Sequence, residues 1–303
     1  MRRKFYTLDV FTDTALAGNP LAVVLDSDGL DDRRMQAIAR EFNLSETVFV
    51  FPPADPVSTA RVRIFTPARE MPFAGHPTIG TAVLLGELRA AEMLIRQDVG
   101  IVLEEKVGNV ACTVRHAPGE AARASFVLPR LPEAGAPLGP KAAIARALGI
   151  GAADIDFGNH VASRYSAGVP FAFVPVASRA VLAKINVDRG AWLEAFVEDG
   201  RVPAFVYCNQ PLSRAHHFRA RMFATAFGIA EDPATGSAAA AFAGVIQRFG
   251  TPADGSHTFI IEQGFEMGRP SLITLGLDFT AGKITAGSIG GSAVILMQGI
   301  LAA

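Results

Sequence analysis

The chain has 303 residues, half of them hydrophobic, and a formal net charge of −1. That is enough apolar material for one large or two medium domains. With no basic stripe interleaved with aromatics, the electrostatic footprint of a nucleic-acid binder is absent. The two cysteines, Cys112 and Cys208, are too few and too far apart for a disulfide framework or a zinc site. They read as core thiols of a cytoplasmic protein.

Met1-Arg2-Arg3-Lys4 is followed by the alternation Phe5, Thr7, Asp9, not by the continuous apolar run of a signal peptide. Residues 293–303 are too short and too Gly-interrupted to span a bilayer. In chain order, residues 3–10 predict a strand, and 21–25 another after the turn signal Gly18-Asn19-Pro20. Residues 31–42 predict a helix capped by Asp31, with Met35, Ile38, Ala39 and Phe42 on one stripe. Strands follow at 47–51 and 61–66, then a helix at 77–88 that is apolar all round and therefore buried. Strands at 93–96, 101–106, 109–115 and 124–128 complete a curved, mostly antiparallel sheet around that helix.

The Pro/Gly-rich stretch 129–140 predicts a linker. After it come a helix at 141–148, strands at 156–163 and 171–176, and outer helices at 178–184 and 188–197. Strands at 204–208 and 217–223 precede a second wholly apolar helix, 237–249, which Gly250 is expected to end. Strands at 257–263, 271–278, 283–288 and 293–297 close the chain. The plan repeats, so the expected fold is α+β with two pseudo-symmetric domains, each a sheet wrapped around a central apolar helix. The boundaries are 1–128, possibly with the final strand at 291–303, and 129–290. Two unrelated α+β domains are the alternative.

Each apolar helix begins at a polar Gly turn: Phe73-Ala74-Gly75-His76-Pro77 and Glu231-Asp232-Pro233-Ala234-Thr235-Gly236-Ser237. A helix start leaves backbone N–H groups unpaired at the positive end of the dipole, which suits an anion. Gly75 and Gly236 let a ligand approach the backbone, Thr235 and Ser237 add hydroxyls, and His76 adds an imidazole. The alternative is that Asp232 or Thr235 merely caps a buried helix. Glu46 stands before the apolar run Val48-Phe49-Val50-Phe51, where a carboxylate would have a raised pKa and could exchange protons. It could equally be an exposed turn residue or a cap with Ser45. His216-His217 lacks the further ligands of a metal site. The loop Gln263-Gly264 to Ser271 reads mainly as a turn. No phosphate loop, dinucleotide fingerprint or nucleophile elbow is present.

These motifs, together with Asp9-Val10-Phe11, Gly18-Asn19-Pro20-Leu21-Ala22-Val23-Val24, Asn43-Leu44-Ser45-Glu46-Thr47 and Met267-Gly268-Arg269-Pro270-Ser271, resemble the PhzF family nearly end to end. The resemblance implies a diaminopimelate-epimerase-like fold with the active site between two domains, catalysis without metal or cofactor, and a homodimer. It implies Glu46 as proton-shuttling acid/base, His76, Asp232 and Ser237 as its partners, and Gly75 and Gly236 as backbone contacts for substrate. The related epimerases and racemases carry a Cys near each helix start; here those turns hold His76 and Asp232. The expected function is a cofactor-independent isomerase of a small carboxylate-bearing substrate, with an amino-acid racemase or epimerase, a hydrolase or lyase on the same scaffold, or a non-catalytic carboxylate binder as alternatives.

Overall fold

The computed structural model describes residues 2–196, 202–225 and 229–303. The chain divides into two compact units, Met1–Val127 with Gly290–Ala303, and Leu128–Ile289. The first contains β1 (Arg2–Val10), β2 (Asn19–Val24), α1 (Asp32–Phe42), β3 (Glu46–Phe51), β4 (Ala60–Phe65), β5 (Glu70–Met71), α2 (Gly75–Leu94), β6 (Val99–Glu105), β7 (Gly108–Arg115) and β8 (Arg123–Val127). The second contains β9 (Glu133–Ala134), α3 (Lys141–Leu148), β10 (Ser163–Ser166), β11 (Pro170–Pro175), α4 (Arg179–Lys184), α5 (Trp192–Ala195), β12 (Ala204–Cys208), β13 (Phe218–Ala224), β14 (Ile229–Asp232), α6 (Gly236–Val245), β15 (Gly255–Gln263) and β16 (Ser271–Thr280). The last strand, β17 (Lys283–Ala302), gives its beginning to the second unit and the rest to the first.

In the first unit the ladder runs β1, β2, β3, β4, β6, β7, β8, and β17 joins β8 back to β1. Only the β2–β3 and β4–β6 pairs are parallel. Closing the ladder leaves these strands no open edge. Helix α2 packs against β1, β2, β3, β6, β7 and β8. That is why Ile79, Ala82, Val83, Leu84 and Leu85 are all buried: the helix has no solvent face along this stretch. Outside, α1 lays Met35, Ile38 and Ala39 on Val24, Phe49, Phe51 and Phe65. With cover on both faces, β3 is buried from Thr47 to Phe51, and strict alternation is lost.

The second unit is sheet-rich around α6, which touches β9, β10, β11 and β16. Phe242 of α6 meets the rings of Phe173, Phe205, Tyr207 and Phe218 at centroid distances of 4.7–5.7 Å. Another apolar layer, with Ile144, Leu148, Trp192 and Phe196, packs α3 and α5 against β11 and β12. The molecule is a sheet-rich α+β fold, as its composition and periodicity led us to expect.

Several local expectations differ from what is observed. Residues 93–96 are not a strand. They end α2, where Leu94 turns inward against the Gly86 side of the same helix. Residues 156–162 form a turn closed by Phe157 and His160, and the strand begins only at Ser163. Of the helix expected at 188–197, only Trp192–Ala195 is helical, and Val197 lies outside the described residues. Gly250 does not stop the second apolar helix. The chain widens into a π turn over Ile246–Gly250, and Thr251 takes the left-handed conformation at φ 40°. The strands expected at 283–288 and 293–297 are one continuous strand, because Gly287 and Gly290 leave room for Leu128 and Ser125 across the sheet.

Candidate active site

The side chains of Glu46 and His76 meet in the first unit. Glu46 opens β3, and β3 lies parallel to β2 with Glu46 opposite Leu21. His76 is the second residue of α2. Glu46 Oε2 and His76 Nε2 are 3.2 Å apart, with the side chains 14% and 6% exposed. Glu46 is therefore a half-buried strand residue held against a histidine, not a free turn residue. Burial lowers His76 to about 3, so it faces Glu46 as a neutral imidazole and the contact is not an ion pair.

Asn19, fully buried at the start of β2, determines which nitrogen of that imidazole carries the proton. Its Nδ2 lies 3.4 Å from His76 Nδ1. An amide nitrogen only donates, so Nδ1 accepts and the proton sits on Nε2, toward Glu46. In sequence Asn19 registered as a turn residue and as part of the family motif Gly18-Asn19-Pro20, with no role of its own. The signal it gave was its place before a proline and an apolar strand, which says nothing of a histidine far along the chain.

In the second unit Asp232, Thr235, Gly236 and Ser237 come together where β14 leads into α6. Thr235 Oγ1 donates to Asp232 Oδ2 at 2.5 Å. Gln263 Nε2 donates to Thr235 Oγ1 at 3.0 Å and to the Asp232 carbonyl at 2.7 Å, while Thr235 N–H donates to Gln263 Oε1 at 3.1 Å. Gln263 is thus the buried clamp of this turn. Gly264 follows at φ +77°, where a Cβ would collide with the carbonyls of Pro233 and Arg269. The loop that read as a mere corner holds the helix start in place.

Neither central helix has a side-chain cap. At α2 the N-cap is Ala74, and at α6 Thr235 turns its hydroxyl to Asp232 instead of to the helix. The first intrahelical bonds are Thr78 N–H to the Ala74 carbonyl and Ala239 N–H to the Thr235 carbonyl. The N–H groups of Gly75 and His76, and of Gly236, Ser237 and Ala238, precede them. Such donors sit at the positive end of the helix dipole.

The thiols lie elsewhere. Cys112 and Cys208 are buried, and burial pushes both up, Cys112 to about 12. Among the described residues no group of three or more His, Cys, Asp or Glu could hold a metal ion. His216 accounts for itself by contacting Glu262 at 2.7 Å. A cavity of about 370 Å³ in the second unit includes Lys141, Asp156, Arg164 and Arg248 but none of the candidate residues. Its Asp156 is engaged by Lys141 at 2.8 Å. No helix of the described chain is long and apolar enough to cross a membrane.

The profile of phenazine biosynthesis-like proteins, PhzC-PhzF, matches residues 8–299. An uncharacterized isomerase of Mesorhizobium japonicum is 49% identical over 99% of this chain and 98% of its own. The trans-2,3-dihydro-3-hydroxyanthranilate isomerase of Pseudomonas chlororaphis is 36% identical, with 98% of each chain covered. The crystal structure of a Bacillus anthracis phenazine biosynthesis protein of the PhzF family matches with a TM-score of 0.89 over 100% of both chains, at 25% identity.

Proposed function

The chain belongs to the PhzC-PhzF family of phenazine biosynthesis-like proteins, and from that premise we propose that it is a cofactor-independent isomerase moving a proton within a small carboxylate-bearing substrate. Its relatives are isomerases, and the one from Pseudomonas chlororaphis carries a dihydroaromatic carboxylate in its name. Trans-2,3-dihydro-3-hydroxyanthranilate is therefore the first substrate to try.

The observation that carries this reading is a carboxylate and a neutral imidazole in contact beside a helix start that has no cap. Glu46 takes a proton from an activated carbon and returns it at another position of the same conjugated system. His76, with Nε2–H toward Glu46, orients the carboxylate and steadies its charge before the first transfer and after the second. The N–H groups at Gly75 hold the substrate carboxylate or the enolate-like charge that develops; by resemblance those at Gly236 are a substrate contact of the second unit. Asp232, Thr235 and Ser237 orient the substrate's polar groups. One base that returns its own proton needs no second thiol, and the buried, inert cysteines support that economy. The uncapped apolar helix in each unit also supports an ancient duplication. By resemblance we place the enzyme in the cytoplasm as a homodimer, which light scattering would test.

Glu46→Gln keeps the shape and removes the base. A positioned general base contributes about 10²–10⁴-fold, so turnover should fall by at least that lower factor while the circular dichroism spectrum is unchanged. The transferred hydrogen, followed by NMR in D₂O, should be retained in part. Near-normal turnover of the variant would overturn the assignment.

A further inference from the structure

Two residues beyond His76, the first turn of α2 carries a second buried carboxyl contact. Thr78 Oγ1 lies 2.8 Å from the Ala74 carbonyl and 2.6 Å from Glu105 Oε1. A hydroxyl has one hydrogen. A carbonyl oxygen can only accept, and an ionised carboxylate can only accept. With Thr78 donating to Ala74, the short contact to Glu105 is satisfied only if Glu105 is the donor, as a protonated acid. Glu105 Oε2 is buried and has no hydrogen-bond donor among the described residues. A neutral carbonyl tolerates that, whereas a carboxylate there would be an uncompensated charge.

The groups around it agree. Thr78 approaches from α2, and Cys112 from β7 is a neutral thiol pushed up to about 12 by burial and by Glu105. On β6 itself, Glu104 is turned to the N–H groups of Ala54 and Asp55. The next residue, Lys106, is engaged by Glu70. No cation pairs with Glu105 among the described residues, and burial pushes it up to about 8.

The geometry points to Glu105 as a proton-carrying positioning residue: as the neutral acid it fastens the first turn of α2 through Thr78, and it keeps negative charge from lying behind the N–H groups that hold the substrate carboxylate. This rests on the carboxylate-holding role proposed above. Ionisation of Glu105 breaks the donor chain and sets a charge against the bound anion, so carboxylate affinity falls as pH rises.

Two readouts test it. In infrared difference spectra, wild type minus Glu105→Gln should show a carboxylic-acid C=O band at neutral pH that fades between about pH 7 and 9. Over the same range, calorimetry should show anthranilate binding to wild type weakening by about tenfold, the effect of one charge repositioned near an anion. Gln donates to Thr78 but cannot ionise, so in Glu105→Gln that pH dependence should vanish. Absence of the band, or an equal fall in affinity in the variant, overturns the proposal. If Glu105→Gln does not fold, Glu105→Met, which carries no charge at any pH, should likewise lose the pH step; a step that survives in it overturns the proposal as well. Failure of anthranilate to bind at any pH overturns the carboxylate hold itself, and a persisting infrared band then separates that failure from one in the protonation of Glu105.

Discussion

His76 lies between two side chains that ask different things of it. Asn19 presents an N–H to Nδ1 at 3.4 Å, and Glu46 presents an oxygen to Nε2 at 3.2 Å. A neutral ring can satisfy both in only one tautomer. Asn19→Asp would invert the first hydrogen bond, since a carboxylate accepts from Nδ1–H and leaves Nε2 without its proton. We expect kcat to fall about tenfold, the effect of withdrawing the N–H that faces Glu46, with KM little changed. The ¹⁵N shifts of the imidazole should report the exchanged proton. Unchanged shifts would remove Asn19 from the mechanism. Glu46 and His76 were legible as candidates because each stands in a local pattern of charge against apolar strand or helix. Asn19 was not, because its partner is 57 positions away and only the closed ladder brings β2 beside the start of α2. Gln263 and Glu105 escaped for the same reason: their roles are in contacts made across the fold.

At the scale of the element, the two apolar helices carry the argument, and they do so by being poor helices on their own. Each lacks a capping side chain and is apolar and buried through its first turns, so its stability comes from the strands around it. Periodicity was enough to find both helices and most strands. It missed where apolar runs stop meaning strand, as at 93–96, and where glycines stop meaning turn, as at Gly287 and Gly290 in β17. Packing decided those cases. Gly244 shows how tight the packing is, since a Cβ there would lie 2.6 Å from Cε1 of Tyr165 and nearer still to Cδ1. The Tyr165 ring is itself buried between neighbours. Gly244→Ala, which raises helix propensity, should nevertheless destabilise the protein by about 1–3 kcal/mol. Urea unfolding would measure it, and a stabilised variant would show that the ring can move.

At the scale of the whole molecule, sequence order and structural membership part company. Residues 290–303 belong with the first unit, where β17 pairs with β1 from Ala293 to Ala302 and joins it to β8. A chain cut after Ile289 would open both β1 and β8, exposing Leu8, Val10 and Ala124 at unpaired edges. We expect that truncation to abolish the protection of β1 and β2 in hydrogen exchange and to drive aggregation. Native-like protection would show that the closure contributes little. There is also an order of events in this arrangement. During synthesis residues 2–127 emerge first but cannot close, and the residues that close them follow the entire second unit. The later-made unit can complete its core first, reversing the usual N-terminal-first order. On this order we expect the contact between Glu46 and His76 to form only after residues 290–303 have joined β1 and β8, so that it is a late event of synthesis.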